Sequence, residues 1–214
     1  MFISCKHSSN DWKGDIRIEL ISSEGGNVSI SVHIEGETGN LINGAFVSIA
    51  NSDKTNTILQ FNNERNCYYG LLGNSKNDKY IVTIKSVLFG ERQFEIPHCI
   101  LREPPVLETF CDSTGNSYFL GNSLDSQNCI RLSWNSSVDD CIYKIIIKNS
   151  ADIIYESTTN NTTLMLPEKS LSNTSNLYYL KIQQQKVFGD LMFEKEKYYS
   201  VSIISSDNYI FSLY

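Results

Sequence analysis

The sequence predicts an all-β protein built of two tandem immunoglobulin-like β-sandwich domains. Short apolar runs alternate with polar residues at a period of two, the signature of strands with one buried face. The composition, with 12 Tyr and 10 Phe among 214 residues and no long Ala- or Leu-rich helical stretch, favours strands. Loops rich in Asn, Ser, Gly and Asp recur between the runs, and Pro104-Pro105 divides them into two sets.

Residues 1–14, "MFISCKHSSNDWKG", read as a polar N-terminal tether in which Trp12 is placed to pack on the first domain. The first domain, 15–102, opens with Ile16, Ile18 and Leu20 of "DIRIEL" on alternate positions. "NVSISVHIEG" follows, where Val28, Ile30, Val32 and Ile34 alternate with Ser29, Ser31, His33 and Glu35. A Gly/Asn turn in "ETGNLINGAFVSI" then predicts a hairpin, its return strand carrying Ala45, Val47 and Ile49. "TILQF", "CYYGLL", "YIVTIKSVLF" and "RQFEIPH" complete the set.

The second domain, 103–214, starts after the proline pair, which continues neither a ladder nor a helix. Its strands read "PVLETF", "NCIRLSW", "CIYKIIIK", "ADIIYES", "TTLMLP", "LYYLKIQQQ" and "KYYSVSII", the count and spacing of an immunoglobulin-like sandwich. Alternation turns Tyr178, Leu180 and Ile182 inward, and Trp134 reads as core. The short, proline-stiffened linker predicts a fairly fixed relation between the domains.

Two resemblances sharpen this. Through Gly39, Gly44, Ala45, Val47, Tyr69 and Tyr80, residues 27–98 resemble the carboxypeptidase regulatory-like, or transthyretin-like, sandwich, whose members are usually accessory. The second half resembles a fibronectin type III module through Trp134, Tyr143 and "LSNTSNLYYLKI". That likeness gives Leu171 and Tyr178 the family's leucine and corner-tyrosine roles, with one residue more between them than usual.

"FISC" resembles the end of a bacterial lipoprotein signal, which implies lipid attachment at Cys5 and a location in the cell envelope, periplasmic or surface-exposed. The charged segment and apolar stretch of roughly 7–15 residues that such a signal needs do not precede it here, so Cys5 as an ordinary exposed thiol stays open. Six cysteines without a Cys-x-x-Cys pair give no zinc pattern. Cys111 closes one strand and Cys129 opens the next, so they are a candidate disulfide, with Cys67 and Cys99 a second. Burial of all as small hydrophobes is the equal alternative.

A net charge of -6 and a pI near 5.1 provide no clustered positive face, so nucleic acid is excluded as partner. No run approaches the roughly 18 apolar residues of a spanning helix, which leaves a lipid anchor as the link to a membrane. G-x-S-x-G, P-loop, dinucleotide and H-E-x-x-H patterns are missing, and His7, His33 and His98 stand beside no evident partner. His33 and Glu35 share a strand face but read as solvated, and Asp139-Asp140 lacks the ligand order of a calcium loop. Tyr68-Tyr69 and Tyr198-Tyr199 each offer one outward ring for stacking on sugars or proteins. The triplets at Asn27, Asn135, Asn161 and Asn173 fit a glycosylation pattern that abundant Asn and Ser produce by chance.

No catalytic residue, cofactor or metal is expected. The predicted function is a non-enzymatic surface or periplasmic lipoprotein whose two sandwiches bind a protein or glycan. An accessory subunit of a secreted hydrolase or transport complex is the alternative, and a cytosolic structural protein with free thiols the third.

Overall fold

The computed structural model describes residues 12–213, apart from 24–25, 52–54, 75–78, 121–122, 126, 151, 172–176 and 190–196. Cys5, His7 and Asn173 lie outside the described residues. The strands are β1 (Asp15–Ser22), β2 (Asn27–Glu35), β3 (Phe46–Asn51), β4 (Asn56–Asn62), β5 (Cys67–Asn74), β6 (Lys79–Ser86), β7 (Gly90–Pro97) and β8 (Val106–Asp112). They continue as β9 (Ile130–Asn135), β10 (Ile142–Lys148), β11 (Ile153–Thr159), β12 (Thr163–Leu166), β13 (Tyr178–Gly189), β14 (Lys197–Ser205) and β15 (Tyr209–Phe211). Among the described residues the only other regular element is a 3-10 turn, Tyr118–Leu120.

The chain forms two compact units, Met1–Ile100 with Phe188–Val201, and Leu101–Val187 with Ser202–Tyr214. Read from pattern alone, residues 188–201 belong with the second domain; the structure groups them with the first. Tyr198 packs on the first unit's core, and Ser200 Oγ lies 2.9 Å from His98 Nδ1. Alternation in "KYYSVSII" specifies a buried face but not the sheet that takes it.

In the first unit, one sheet has the order β14-β1-β2-β5-β4 and the other β4-β3-β6-β7. Strand β4 serves both, since 56–59 pair with β3 and 60–62 with β5. The arrangement β1-β2-β5-β4 over β3-β6-β7 is that of a seven-stranded immunoglobulin constant-type sandwich. The register Ile18↔Val32 and Leu20↔Ile30 lines up the apolar alternates of β1 and β2, all of them buried. Each such side chain removed from water contributes about 1.5–3 kcal/mol.

The hairpin expected between β2 and β3 does not form. β2 pairs with β1 and β5, while β3 pairs with β4 and β6, so the loop at 36–45 carries the chain from one sheet to the other. A period of two reports which face is buried and is equally satisfied by a crossing. Gly39, at φ +78°, provides the left-handed residue of the local turn that opens this loop. Trp12 packs where the sequence suggested, its ring centroid 4.5 Å from that of Phe89 in the turn between β6 and β7.

The second unit stacks β8-β9-β12 against β11-β10-β13, with β15 added to β13. Trp134 and Tyr143 meet edge to face at 5.4 Å, both nearly fully buried. Leu171 and Tyr178 also lie in the core, and Tyr178 stacks at 5.4 Å on Phe211. Phe211 belongs to β15, a three-residue strand too short to show a period. Before it, Ser206 holds β13 by its backbone N–H, which donates to Ile182 O at 2.8 Å, and by its hydroxyl, which accepts from Ile182 N at 3.0 Å.

Candidate functional site

The sequence candidates disperse. Glu35 is taken by the Arg17 guanidinium, which also contacts Asp15 at 3.3 Å, and no group of three His, Cys, Asp or Glu suited to a metal occurs among the described residues. His98 is buried against the Tyr80 ring at 5.6 Å, and burial lowers its pKa from 6.5 to about 4. The carbonyls of Asp139 and Asp140 accept hydrogen bonds from Lys186 Nζ at 2.7 and 3.2 Å. Tyr68 is core, its hydroxyl accepting from Ala45 N at 2.7 Å, whereas Tyr69 lies under the Arg65 guanidinium at 4.3 Å. Tyr198 packs on the core and Tyr199 is half-buried.

Among the described residues, Cys67, Cys99, Cys111, Cys129 and Cys141 form no disulfide with one another. Cys111 stands opposite Arg131, and Cys129 O accepts from Ser113 N, which makes Cys111 and Cys129 diagonal neighbours two positions out of register. Burial pushes the Cys67 thiol upward, the opposite of what an active nucleophile requires. Asn27, Asn135 and Asn161 are exposed, and Asn135 Oδ1 accepts from Val106 N at 3.1 Å.

Two buried polar centres in the second unit are structural. Burial alone would raise the Asp112 carboxyl, but hydrogen bonds from the Thr114 side chain, Asp125 N and the Asn116 side chain and N–H outweigh it and hold the pKa at about 2. The carboxylate thereby ties the loop after β8 to the segment before β9. Gln184, fully buried on β13, donates from Nε2 to Ser136 Oγ at 2.9 Å and to Cys141 Sγ at 3.2 Å.

What remains is a groove on the outward face of the second unit's β11-β10-β13-β15 sheet. Because β10 and β13 alternate, turning Tyr143, Ile145 and Ile147 inward with Tyr178, Leu180 and Ile182, their other residues face out. The ladder sets Lys148 opposite Tyr179, Ile146 opposite Lys181 and Lys144 opposite Gln183. A register shift after Ile147 brings Ile153 of β11 opposite Lys148, and Tyr179 faces Ile210 of β15. A row Ile153, Lys148, Tyr179, Ile210 thus crosses the sheet, with both isoleucines at least half exposed.

Ile146, Lys148, Tyr179, Lys181 and Gln183 line the groove, closed at its rim by Asn149, Ser150 and Asn208, with a volume of about 510 Å³. That is the size range of small-molecule sites. Two of its amides are held in place: Asn149 Oδ1 accepts from Asp152 N at 2.8 Å, and Gln183 Oε1 accepts from Gln185 Nε2 at 2.9 Å. The carboxylate nearest in the ladder, Glu156 opposite Ile146, is paired with Lys144 at 3.0 Å. Outward alternation in "CIYKIIIK" and "LYYLKIQQQ" names these side chains, but only the register assembles them.

No family model and no curated protein sequence matches the chain. Among solved structures, a chain of "Cytokine receptor complex - Crystal form 1A" aligns with 91% of this chain and 95% of its own, at a TM-score of 0.41 and 7% identity. A chain of "Cytokine receptor complex - Crystal form 2" aligns with 78% of this chain and 89% of its own, at a TM-score of 0.38 and 7% identity.

Proposed function

We propose that the chain is a non-enzymatic binding protein, a pair of immunoglobulin-like sandwiches that takes a protein or glycan ligand on the outward β10-β13 face of the second. The observation that supports this is the groove itself, where an aromatic ring, two lysines and side-chain amides converge on one open surface. Such a set holds a ligand by stacking and hydrogen bonding and includes no general base beside a nucleophile.

The test is an array of glycans and extracellular proteins probed with the full chain and with Tyr179→Ala. Binding by the parent chain that Tyr179→Ala abolishes is the expected outcome; ligands retained by Tyr179→Ala overturn the assignment of the groove. We also propose display from a bacterial envelope through lipid on Cys5, on the strength of the "FISC" likeness. Palmitate labelling of the full gene product checks it, and an unlabelled, cytosolic product overturns it.

A further inference from the structure

We infer that one end of the first sandwich rests on a lipid bilayer, with Val87 and Leu88 among the acyl chains. This deepens the proposal of lipid on Cys5 and rests on it.

Exposed turns are ordinarily built of Gly, Asn, Asp, Ser or Pro, which supply the backbone angles and local hydrogen bonds that a tight reversal needs. The turn between β4 and β5 follows that rule, reading "NERN" at 63–66. The turn between β6 and β7 does not. Its tip is Val87 and Leu88, 99% and 53% exposed, while Phe89 beside them is wholly buried. Leu88 N donates to Ser86 Oγ at 3.2 Å, and Gly90, at φ +76°, closes the turn. With Phe89 already holding the turn to the core, local folding does not call for two further apolar side chains in water.

Register places other exposed apolar side chains at this same end. Phe46, 44% exposed, stands opposite Lys85 near the end of β6, and Leu41, 42% exposed, bridges to Glu35 at the end of β2. Trp12 is seated on Phe89, so the chain enters the fold here. Cys5 precedes Trp12 by seven residues, a span of at most about 25 Å. A lipid on Cys5 therefore keeps this end near the membrane surface. Charge is not the attraction: Lys85 is paired with Glu91 at 3.1 Å, Arg17 with Asp15 and Glu35, and Glu37 and Glu64 offset Lys13 and Arg65. A protein partner fits less well, because a stable interface takes about 20–30 residues from each side, whereas contact with acyl chains needs only apolar area facing the bilayer.

The experiment tethers the full chain, through an N-terminal hexahistidine tag, to phosphatidylcholine vesicles bearing a nickel-chelating lipid, which holds it whether or not Cys5 is acylated. Leu88→Trp reports on the tip. Leu71→Trp is the control: Leu71 is 69% exposed but pairs with Ser29, about 20 Å along β2 from Glu35. Phosphatidylcholine brominated along its acyl chains is expected to quench the emission added by Leu88→Trp and to spare that added by Leu71→Trp. Adding Val87→Asp to Leu88→Trp is expected to abolish the quenching. The parent chain, with Trp12 and Trp134, sets the baseline, and thermal melts of the variants exclude unfolding. No quenching of Leu88→Trp, which is also what a tip serving a protein partner would show, overturns the inference. So does equal quenching of Leu71→Trp, quenching that survives Val87→Asp, or quenching that needs phosphatidylserine. Palmitate labelling tests the anchor and acyl-chain quenching tests the tip, so the two failures are distinguishable.

Discussion

The two sandwiches share the ladders β1-β2-β5 and β8-β9-β12 and, opposite them, β3-β6-β7 and β10-β13-β15, but they place the remaining strand differently and fill their interiors differently. The first packs long strands, eight residues in β1 and nine in β2, whose inward positions are mostly isoleucine, leucine and valine, with Tyr68, Tyr80 and Phe89 its fully buried rings and Trp12, Phe61, Phe94 and Tyr198 packed around them. The second has shorter strands in two of the equivalent places, seven residues in β8 and six in β9, and sets Phe110, Trp134, Tyr143, Tyr178 and Phe211 among its buried aliphatic residues. A shorter ladder offers fewer inward positions, so each must carry more volume to reach the packing density of a protein interior. Aromatic rings do that, at the cost of polar atoms that need partners. Polar groups accordingly follow the rings inside: Ser136 bonds the Tyr143 hydroxyl, Gln184 bonds Ser136, and Asp112 is buried at the end of β8.

The contrast can be broken most forcefully at Trp134. Trp134→Ala is expected to destabilise the second sandwich by about 4 kcal/mol, measured by urea denaturation, because a ring of that size leaves a cavity its neighbours cannot fill. A loss below about 1 kcal/mol would remove the aromatic core from its organising role.

Acid separates the two units next. His98 in the first sandwich has a pKa lowered from 6.5 to about 4, so the unfolded chain binds its proton more readily. Stability is full above 6.5 and declines as pH falls toward 4, by about 3 kcal/mol in all. His98→Gln, which keeps a hydrogen-bonding partner for Ser200, is expected to flatten urea midpoints across that window. A slope retained in His98→Gln assigns the effect elsewhere.

Asp112 gives the second sandwich its own window at lower pH. Its carboxyl is held at about 2 against an ordinary 3.8, so its contribution is present above 3.8 and is lost as pH falls toward 2, about 2 kcal/mol in total. Asp112→Asn should remove a comparable amount at neutral pH and abolish the acid dependence, as read by denaturation at pH 7 and pH 2. The smallest effect sharpens the comparison from the other side. Ile30→Val, within the first sandwich's aliphatic interior, is expected to cost about 1 kcal/mol. A penalty near that of Trp134→Ala would mean that the first core is no more tolerant than the second.

Much of this architecture is legible in the sequence, because a half-buried strand writes its burial into alternate residues. Val28, Ile30, Val32 and Ile34 announce β2 without ambiguity, as Trp134 and Tyr178 announce the second core. Partnership is not written that way. The Gly/Asn turn after β2 reads as a hairpin, yet β3 goes to the opposite sheet, since alternation leaves the hydrogen-bonding neighbour open. β15 escapes because three residues cannot display a period, and 188–201 because its pattern suits either unit. The groove is hidden for the same reason: Lys148, Tyr179 and Ile210 lie far apart in the chain, and only the pairing register, with its shift after Ile147, sets them in one row.

Strand β4, shared by both sheets of the first sandwich, has a consequence for solubility. Each half of β4 has a single ladder partner, so its edge is split into two short stretches, 56–59 beside one sheet and 60–62 beside the other, each brief for strand addition by a misfolded neighbour. The opposite margin of the second layer, β7, carries Glu91, Arg92 and Glu95 and ends at Pro97, charges and an imino acid that obstruct strand addition. A sandwich so rich in isoleucine and valine is thereby guarded against amyloid-like stacking by one strand whose edge is broken in two and another that repels.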